Sequence, residues 1–528
     1  MISKIKANQL TCFINCPKQK EPMNKISLLL FLFLAASLRG QDKPNVNTDP
    51  YPYGNPVITH MYTADAAPHV MPDGRVWMVT SVDHEDGGGY AMMQRYHIFS
   101  SGDMVEWTDH GEVLHIDDLN PERPDNQLWA LWAPDMVYRN GYYYLYFPVR
   151  ILFTDRTRPN GGRYVESYLG VARTKKLGDR FEVVRPRMEE TRGIDPAVFV
   201  DDDGTPYLYW GSHMGATLQR DMLHLDSEPQ KLEVGTDRFM EAVWMNKRDG
   251  KYFISYHTKY DWQKELSSDN IDDPERRRSE LAWSVGDSPM GPFTYGGTLN
   301  YELGVNVGSG PKYPGEDFVP WRLTQSNHGG IVEFHGKEYL FYHTSALSSW
   351  RQDRFQERGT WTQRSVCVDV IVYDAEGRPL PVQQTLEGVD KVVVEQPYAI
   401  DLDPKEAIYS EPVERRGKRL RMTGPRNVIR FKDVDLGSGY YYFQLMAKRF
   451  TDGTRVEVRL DSDAGPLLGT VIVDQYSPGA NEGLAETFLR GASGKHDVFL
   501  VVKQPDEESA FAVMEMRFIA GAPMPDGK

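Results

Sequence analysis

Asp65, Asp195 and Glu241 occupy one repeated position, each nine residues before a turn glycine, Gly74, Gly204 and Gly250. Each begins an apolar run, in "YTADAAPHV", "GIDPAVFV" and "FMEAVWM". An unpaired charged carboxylate in such a run costs several kcal/mol. Three at one offset point instead to strand ends that open into a shared polar pocket. Such a trio can do acid–base work on two sides of one bond. One carboxyl stays protonated to assist a leaving group, and another stays ionised to activate water. The third raises the pKa of the acid, because neighbouring like charges resist ionisation. Hydrolysis of a glycosidic bond asks for this pair. A divalent cation held by Asp, Asp, Glu and His is the rival reading. It lacks a second nearby His and would draw each carboxylate from a different repeat.

The elements that must position these groups are hairpins. A glycine followed three residues later by an aromatic recurs as Gly74/Trp77, Gly141/Tyr144, Gly204/Tyr207, Gly250/Phe253 and Gly336/Tyr339. The residues before the glycines are Asp73, Asn140, Asp203, Asp249 and His335, four of them hairpin formers. The glycines lie 67, 63, 46 and 86 residues apart, so a regular core carries irregular insertions. Five β-units in succession predict an all-β fold, a five-bladed β-propeller, with a two-sheet sandwich as the alternative. The position nine residues before each glycine reads Asp65, Trp132, Asp195, Glu241 and Asn327, with His328 beside the last. In a propeller these equivalent positions face one another around the axis. For any one of them a local satisfied role would suffice. Trp132 reads also as core, and His328 as a buried His bonded to backbone.

The chain has 528 residues, too long for a single ordinary core, so two domains are expected. Aromatics make up 12% and the net charge is −15, which speaks against nucleic acid and anionic membrane partners. From Met23, "MNKISLLLFLFLAASLRGQ" reads as a secretory signal, and residues 1–40 are expected to be that signal with an upstream segment. Of three cysteines only Cys367 follows Met23, so no internal disulfide is expected. A secreted or periplasmic bacterial protein with no membrane span, acting as a monomer, fits these features.

The segments "MYTADAA", "LWAPDMVY", "GIDPAVFVDDDGTPYLYWG", "FMEAVWM", "SNHGGIVEFHGKEYLFYH" and "RSVCVDVIVYDAEGRPLPVQQTLEGV" together resemble glycoside hydrolase family 43. They appear in the family's order over about residues 50–390, and the domain is placed at 41–390. The resemblance implies that Asp65 is the general base, Asp195 the pKa modulator and Glu241 the general acid. It implies inversion, with base and acid roughly 6.5–9.5 Å apart. It also implies that Trp132 walls the sugar subsite, that His328 lies at the pocket floor beside a calcium or water, and that Arg364 reaches toward substrate. Arg364 reads equally as an ion-pair partner. No cofactor is required for the chemistry, and a structural calcium near His328 is the one metal expected. The chain departs from the family in having Ala66-Ala67 after the base, where a proline usually follows. The run Asp201-Asp202-Asp203 reads as a solvated hairpin turn. Insertions at 150–166 and 261–280 are expected to rim the pocket.

From 396 to 520 the pattern becomes period-two alternation with Gly and Asp turns, a β-sandwich of jelly-roll type. "VEVRLDSDAGPLLGTVIV" and "GKHDVFLVVK" resemble a family 6 carbohydrate-binding module. This region has no Trp, so Tyr476 and Phe488 are the nearest aromatics for stacking on sugar, and a bracing role is preferred. The expected activity is an exported hydrolase releasing terminal α-L-arabinofuranosyl groups from plant polysaccharide. β-Xylosidase, or another exo-glycosidase such as a galactosidase, is the alternative, and a non-catalytic sugar-binding propeller is the rival of another class.

Overall fold

The computed structural model describes residues 51–119, 123–259, 280–301, 326–355, 362–477 and 483–525. The expected signal segment at 1–40 and nearly all of the insertion at 261–280 lie outside them. Five antiparallel sheets follow one another along the chain. Blade 1 is built from Thr63–Val70, Val76–Val82, Arg95–Ser101 and Trp107–His115. Blade 2 contains Asp135–Arg139, Tyr142–Thr157, Arg163–Thr174 and Glu182–Arg192, with Gln127–Leu131 added along the extended part of Tyr142–Thr157. Blade 3 runs Ala197–Val200, Pro206–Trp210, Met214–Thr217 and Gln230–Lys231; blade 4 runs Phe239–Arg248, Lys251–Thr258, Glu280–Gly286 and Phe293–Tyr301. Blade 5 contains Gly330–Phe334, Lys337–Thr344 and Ser365–Val370. Residues 55–57 close the ring, since Val57 N donates to Val366 O and Asn55 Nδ2 to Val368 O on the outer edge of blade 5. This is the five-bladed propeller.

The repeated turns explain the repeated offset. Asn140-Gly141, Asp249-Gly250 and His335-Gly336 all hold positive φ at both residues, the pair of left-handed conformations a two-residue hairpin needs. At Gly74 and Gly204 the glycine alone is left-handed. Fixed turns fix register, and register then fixes which residue of each inner strand reaches its far end.

The C-terminal region is a β-sandwich. One sheet contains Glu414–Arg416, Arg419–Thr423, Ala510–Ile519, Tyr442–Arg449 and Gly483–Phe488; the other contains Ile408–Tyr409, Arg426–Asp435, Lys495–Lys503, Thr454–Leu460 and Leu467–Val473. Between them Phe431, Leu445, Val458, Leu500 and Phe518 are buried. The described residues fall in one compact unit, so the sandwich is packed on the propeller. Tyr442 Oη donates to Val70 O at 3.0 Å, and Arg220 pairs with Asp474 at 2.8 Å.

Two expectations change here. Asp201 and Asp202 are buried rather than solvated. Lys247 Nζ lies 2.7 Å from Asp201 and 2.9 Å from Asp202, and Arg490 of the sandwich reaches Asp202 at 2.8 Å. Those cations hold the acidic turn out of water. Phe488 is not presented to sugar: it packs on Tyr441 and Tyr442, under the Arg490 guanidinium. Tyr476 does stay exposed. A cavity of about 790 Å³ lies where the inner strands' turn ends meet the sandwich, lined by Val70, Arg139, Asn246, Tyr442 and Glu486 among others. It is at the opposite end of the strands from the carboxylates.

Candidate active site

Each inner strand delivers its carboxylate through a local irregularity. Asp65 has φ 56° and Asp195 φ 53°, and beside Glu241 it is Ala242 that takes φ 62°. The pairing register slips between Ala64 and Ala67, and again between Glu241 and Trp244. Such bulges turn a side chain out of the sheet, and left-handed non-glycine residues persist only where their surroundings over-determine them. Gly330 makes room for the first bulge. A Cβ there would meet Pro68 Cδ at 2.4 Å and Ala66 O at 2.7 Å.

His328 and the amide of Ala242 tie the three acids together. His328 Nδ1 lies 3.0 Å from Asp65 Oδ1, and its Nε2 lies 3.6 Å from Asp195 Oδ1. Ala242 N donates to Asp195 Oδ2 at 3.1 Å, which sets Glu241 next to Asp195. Asp65 and Asp195 are 3% and 4% exposed. Glu241 keeps 17% of its side chain exposed, so it is the member with most access to a ligand.

Their environments push the two outer acids apart. Burial opposes the charge on Asp65, but the Arg364 guanidinium and His328 outweigh it and hold its carboxyl well below the usual carboxylate range. Burial pushes the Glu241 carboxyl up, and the charge of Asp195 pushes it the same way. Burial works against a charged His328, yet Asp65 and Asp195 raise its pKa well above the ordinary imidazole value. The two carboxyls are displaced in opposite directions, Asp65 toward the ionised form and Glu241 toward the protonated one, which is the kind of division that acid–base hydrolysis uses.

Arg364 is not aimed at substrate. It is 2% exposed, with Nη1 on Asp65 Oδ1 at 2.9 Å, Nε on Asp83 Oδ2 at 2.9 Å and Nη2 on Asp83 Oδ1 at 2.8 Å. Its planar fork is spent on two carboxylates, so it orients Asp65 from behind. The expectation of His328 as a metal ligand also changes. Among the described residues no group of three or more His, Cys, Asp and Glu side chains is arranged to hold a metal. Calcium asks for six to eight oxygens, whereas Asp65 and Asp195 already accept from other donors. The donor set does not fit direct calcium coordination, and His328 acts as a cationic bridge. Trp132 is half-buried at the edge of this cluster. Its Nε1 donates to Tyr90 O at 3.0 Å, and Arg150 lies 4.7 Å over its ring. Tyr96 Oη donates to Trp132 O at 2.5 Å, and the charges of Asp65 and Asp195 add to burial in raising the Tyr96 phenol. Trp132 is therefore brought to the site.

Ser81, Asp83, His257 and His343 escaped the sequence reading. Ser81 Oγ donates to Asp65 Oδ2 at 2.5 Å, His257 Nδ1 lies 3.9 Å from Glu241 Oε1, and His343 Nδ1 lies 3.7 Å from Asp65 Oδ1. A signal for three of them was present. Ser81, His257 and His343 each stand seven residues after a turn glycine, at the place on the second strand that lies beside the ninth residue before it. Asp83 has no such offset, because its partner Arg364 comes from another blade.

Comparison with known proteins agrees with this geometry. Residues 53–283 match the model of glycosyl hydrolases family 43, and residues 399–520 match the carbohydrate binding module of family 6. The chain is 31% identical over 383 residues to xylosidase/arabinosidase 43A of Humicola insolens, covering 61% of this chain and 97% of that protein. It is 31% identical over 382 residues to a xylosidase/arabinosidase of Bacteroides ovatus, covering 62% and 96%. It is 26% identical over 531 residues to an arabinoxylan arabinofuranohydrolase of Paenibacillus polymyxa, covering 90% and 76%. With two relatives this similar along nearly their whole length, the chain belongs to glycosyl hydrolase family 43.

Proposed function

We propose that the protein removes terminal α-L-arabinofuranosyl groups from arabinoxylan with inversion of configuration. Asp65 takes the proton from the attacking water, and Glu241 gives its proton to the departing oxygen. Asp195 keeps Glu241 protonated by its charge and, through the Ala242 amide, sets the strand that carries it. His328 and Arg364 hold Asp65 ionised and aimed. Trp132 offers an apolar wall for the sugar ring.

The observation that carries this reading is the opposite displacement of two carboxyls that share one pocket, Asp65 down and Glu241 up. The substrate rests on relatives, since a relative named arabinoxylan arabinofuranohydrolase aligns over 90% of this chain, including its C-terminal region. β-Xylosidase activity is the second reading, favoured by relatives named xylosidase/arabinosidase. The sandwich braces the propeller, as the packing of Phe488 on Tyr442 and the Arg490–Asp202 pair support. Export through the segment beginning at Met23 belongs to the same proposal.

The test is product release from aryl α-L-arabinofuranoside and aryl β-D-xyloside by wild type, Asp65→Asn and Glu241→Gln. Turnover of the arabinofuranoside that Asp65→Asn abolishes supports the reading. Turnover of the xyloside alone replaces the sugar, and turnover that survives Asp65→Asn overturns the assignment of the base.

A further inference from the structure

Blade 2 carries a charge anomaly at the edge of the pocket. Its strands Tyr142–Thr157 and Arg163–Thr174 continue past the sheet as a hairpin, with Leu152 opposite Val165 and Thr157 opposite Arg163. Beyond Arg150 the hairpin reaches about 20 Å at the usual strand rise. Between 150 and 163 it holds Arg150, Arg156, Arg158 and Arg163 against the single acid Asp155, in a chain of net charge −15. Asp155 accepts from Asn126 at 2.8 Å. Glu166, at the hairpin's base, accepts from Tyr164 Oη at 3.3 Å and lies 3.9 Å from Arg187. None of the four arginines has an ion pair with a described residue. All four belong to this one ribbon, Arg163 near Arg150 and Arg156 over Phe153.

Their place in the fold links them to the reaction site. Arg150 lies 4.7 Å over the Trp132 ring, Trp132 Nε1 bonds Tyr90 O at 3.0 Å, and the Tyr90 ring lies 4.9 Å beneath Arg364, which holds Asp65. Arg163 is close enough for its charge to act on Arg150. Arg156 covers Phe153, and Phe153 packs edge-on against Tyr164, so the hairpin has an aromatic spine under its guanidinium groups. A rigid strand pair with an unneutralised positive edge fits a carboxylate on an extended ligand, because the guanidinium fork matches a carboxylate in two parallel bonds.

We propose that this hairpin is a subsite for an acidic sugar, a uronic acid branch on the polysaccharide whose pentose enters the pocket. The proposal rests on the hydrolase reading given above for its main chain, and adds a preference for carboxylated over neutral polymer. Overall negative charge makes the protein repel an acidic polymer, so attraction must be local to such a patch.

The experiment compares three substrates with the full chain: an aryl pentoside, an arabinose-bearing xylan that carries uronic acid groups, and the same xylan after carboxyl reduction. The expected kcat/KM is about three- to tenfold higher on the acidic xylan than on its reduced form, at two- to fivefold for each exposed charge contact. The gap should close in Arg156→Gln/Arg163→Gln, and in about 0.5 M salt, where screening is short-ranged. Aryl pentoside turnover should be unchanged in the double variant. Equal rates on the two xylans, or a preference that survives the double variant, overturns the subsite. Affinity electrophoresis through each xylan reads the subsite without turnover. Retention by the acidic polymer alone, lost in the double variant, supports it even if the assigned reaction fails; equal retention overturns it.

Discussion

Arg364 bridges two buried carboxylates, with Nη1 2.9 Å from Asp65 Oδ1 and two further bonds to Asp83. Asp65, the proposed base, is thus held from behind by a cation that is itself neutralised. Removing the cation leaves both acids buried without their partner. Arg364→Met should cost about 3–5 kcal/mol of stability, read by denaturant unfolding, and Arg364→Lys should recover only part of it because an ammonium cannot grip both carboxylates.

The acid and base variants should differ in what they lose. Asp65→Asn should lower kcat on every substrate by about 10²–10⁴-fold. Glu241→Gln should lower it comparably on xylan-derived oligosaccharides but far less on aryl glycosides with acidic phenols, whose departure needs no proton. A uniform loss across leaving groups for Glu241→Gln would remove it from the role of acid.

Activity should fall on the alkaline side before it falls on the acid side. In the proposed reaction Glu241 works protonated and its pKa is raised, so turnover is lost as pH rises through that value. As the proposed base Asp65 works ionised and its pKa is held well below normal, so the acid limb lies below the usual carboxylate range. A pH profile of kcat/KM checks both limbs, and Asp195→Asn should move the alkaline limb down by removing the charge that raises Glu241.

Stability follows the same signs. Asp65 is depressed in the folded state, so its contribution is present above the unfolded value of about 3.9 and is lost only as pH falls through the lower folded value. His328 is raised, so its contribution is complete below about 6.5 and is lost as pH climbs through a folded value well above that. Thermal unfolding against pH should show a plateau between about 4 and 6.5 and then a decline toward alkaline pH, and His328→Gln should lower the plateau and flatten that decline.

Gly330→Ala tests the bulge that aims the base. The added Cβ would stand 2.4 Å from Pro68 Cδ and 2.7 Å from Ala66 O, both next to Asp65. Overpacking of this kind costs about 1–3 kcal/mol. The variant should fold, keep the KM of the wild type within a few-fold and lose at least tenfold in kcat. A kcat equal to wild type would show that the bulge is set elsewhere.

The sequence alone determined the five hairpins, the all-β class, the second sandwich and the convergence of Asp65, Asp195, Glu241, Trp132 and His328. These follow from local chemistry: a left-handed turn fixes register, and register carries one position of each inner strand to the same end. Only tertiary structure decided what those groups meet. Arg364 lies 281 positions from Asp83, so no local pattern says that its donors are spent on acids instead of sugar. Asp202 waits for Arg490, 288 positions away in another domain, and without that partner the acidic turn reads as solvated. Turn geometry is written within a few residues, whereas the pairing of buried charges depends on which blades and domains the finished ring brings face to face.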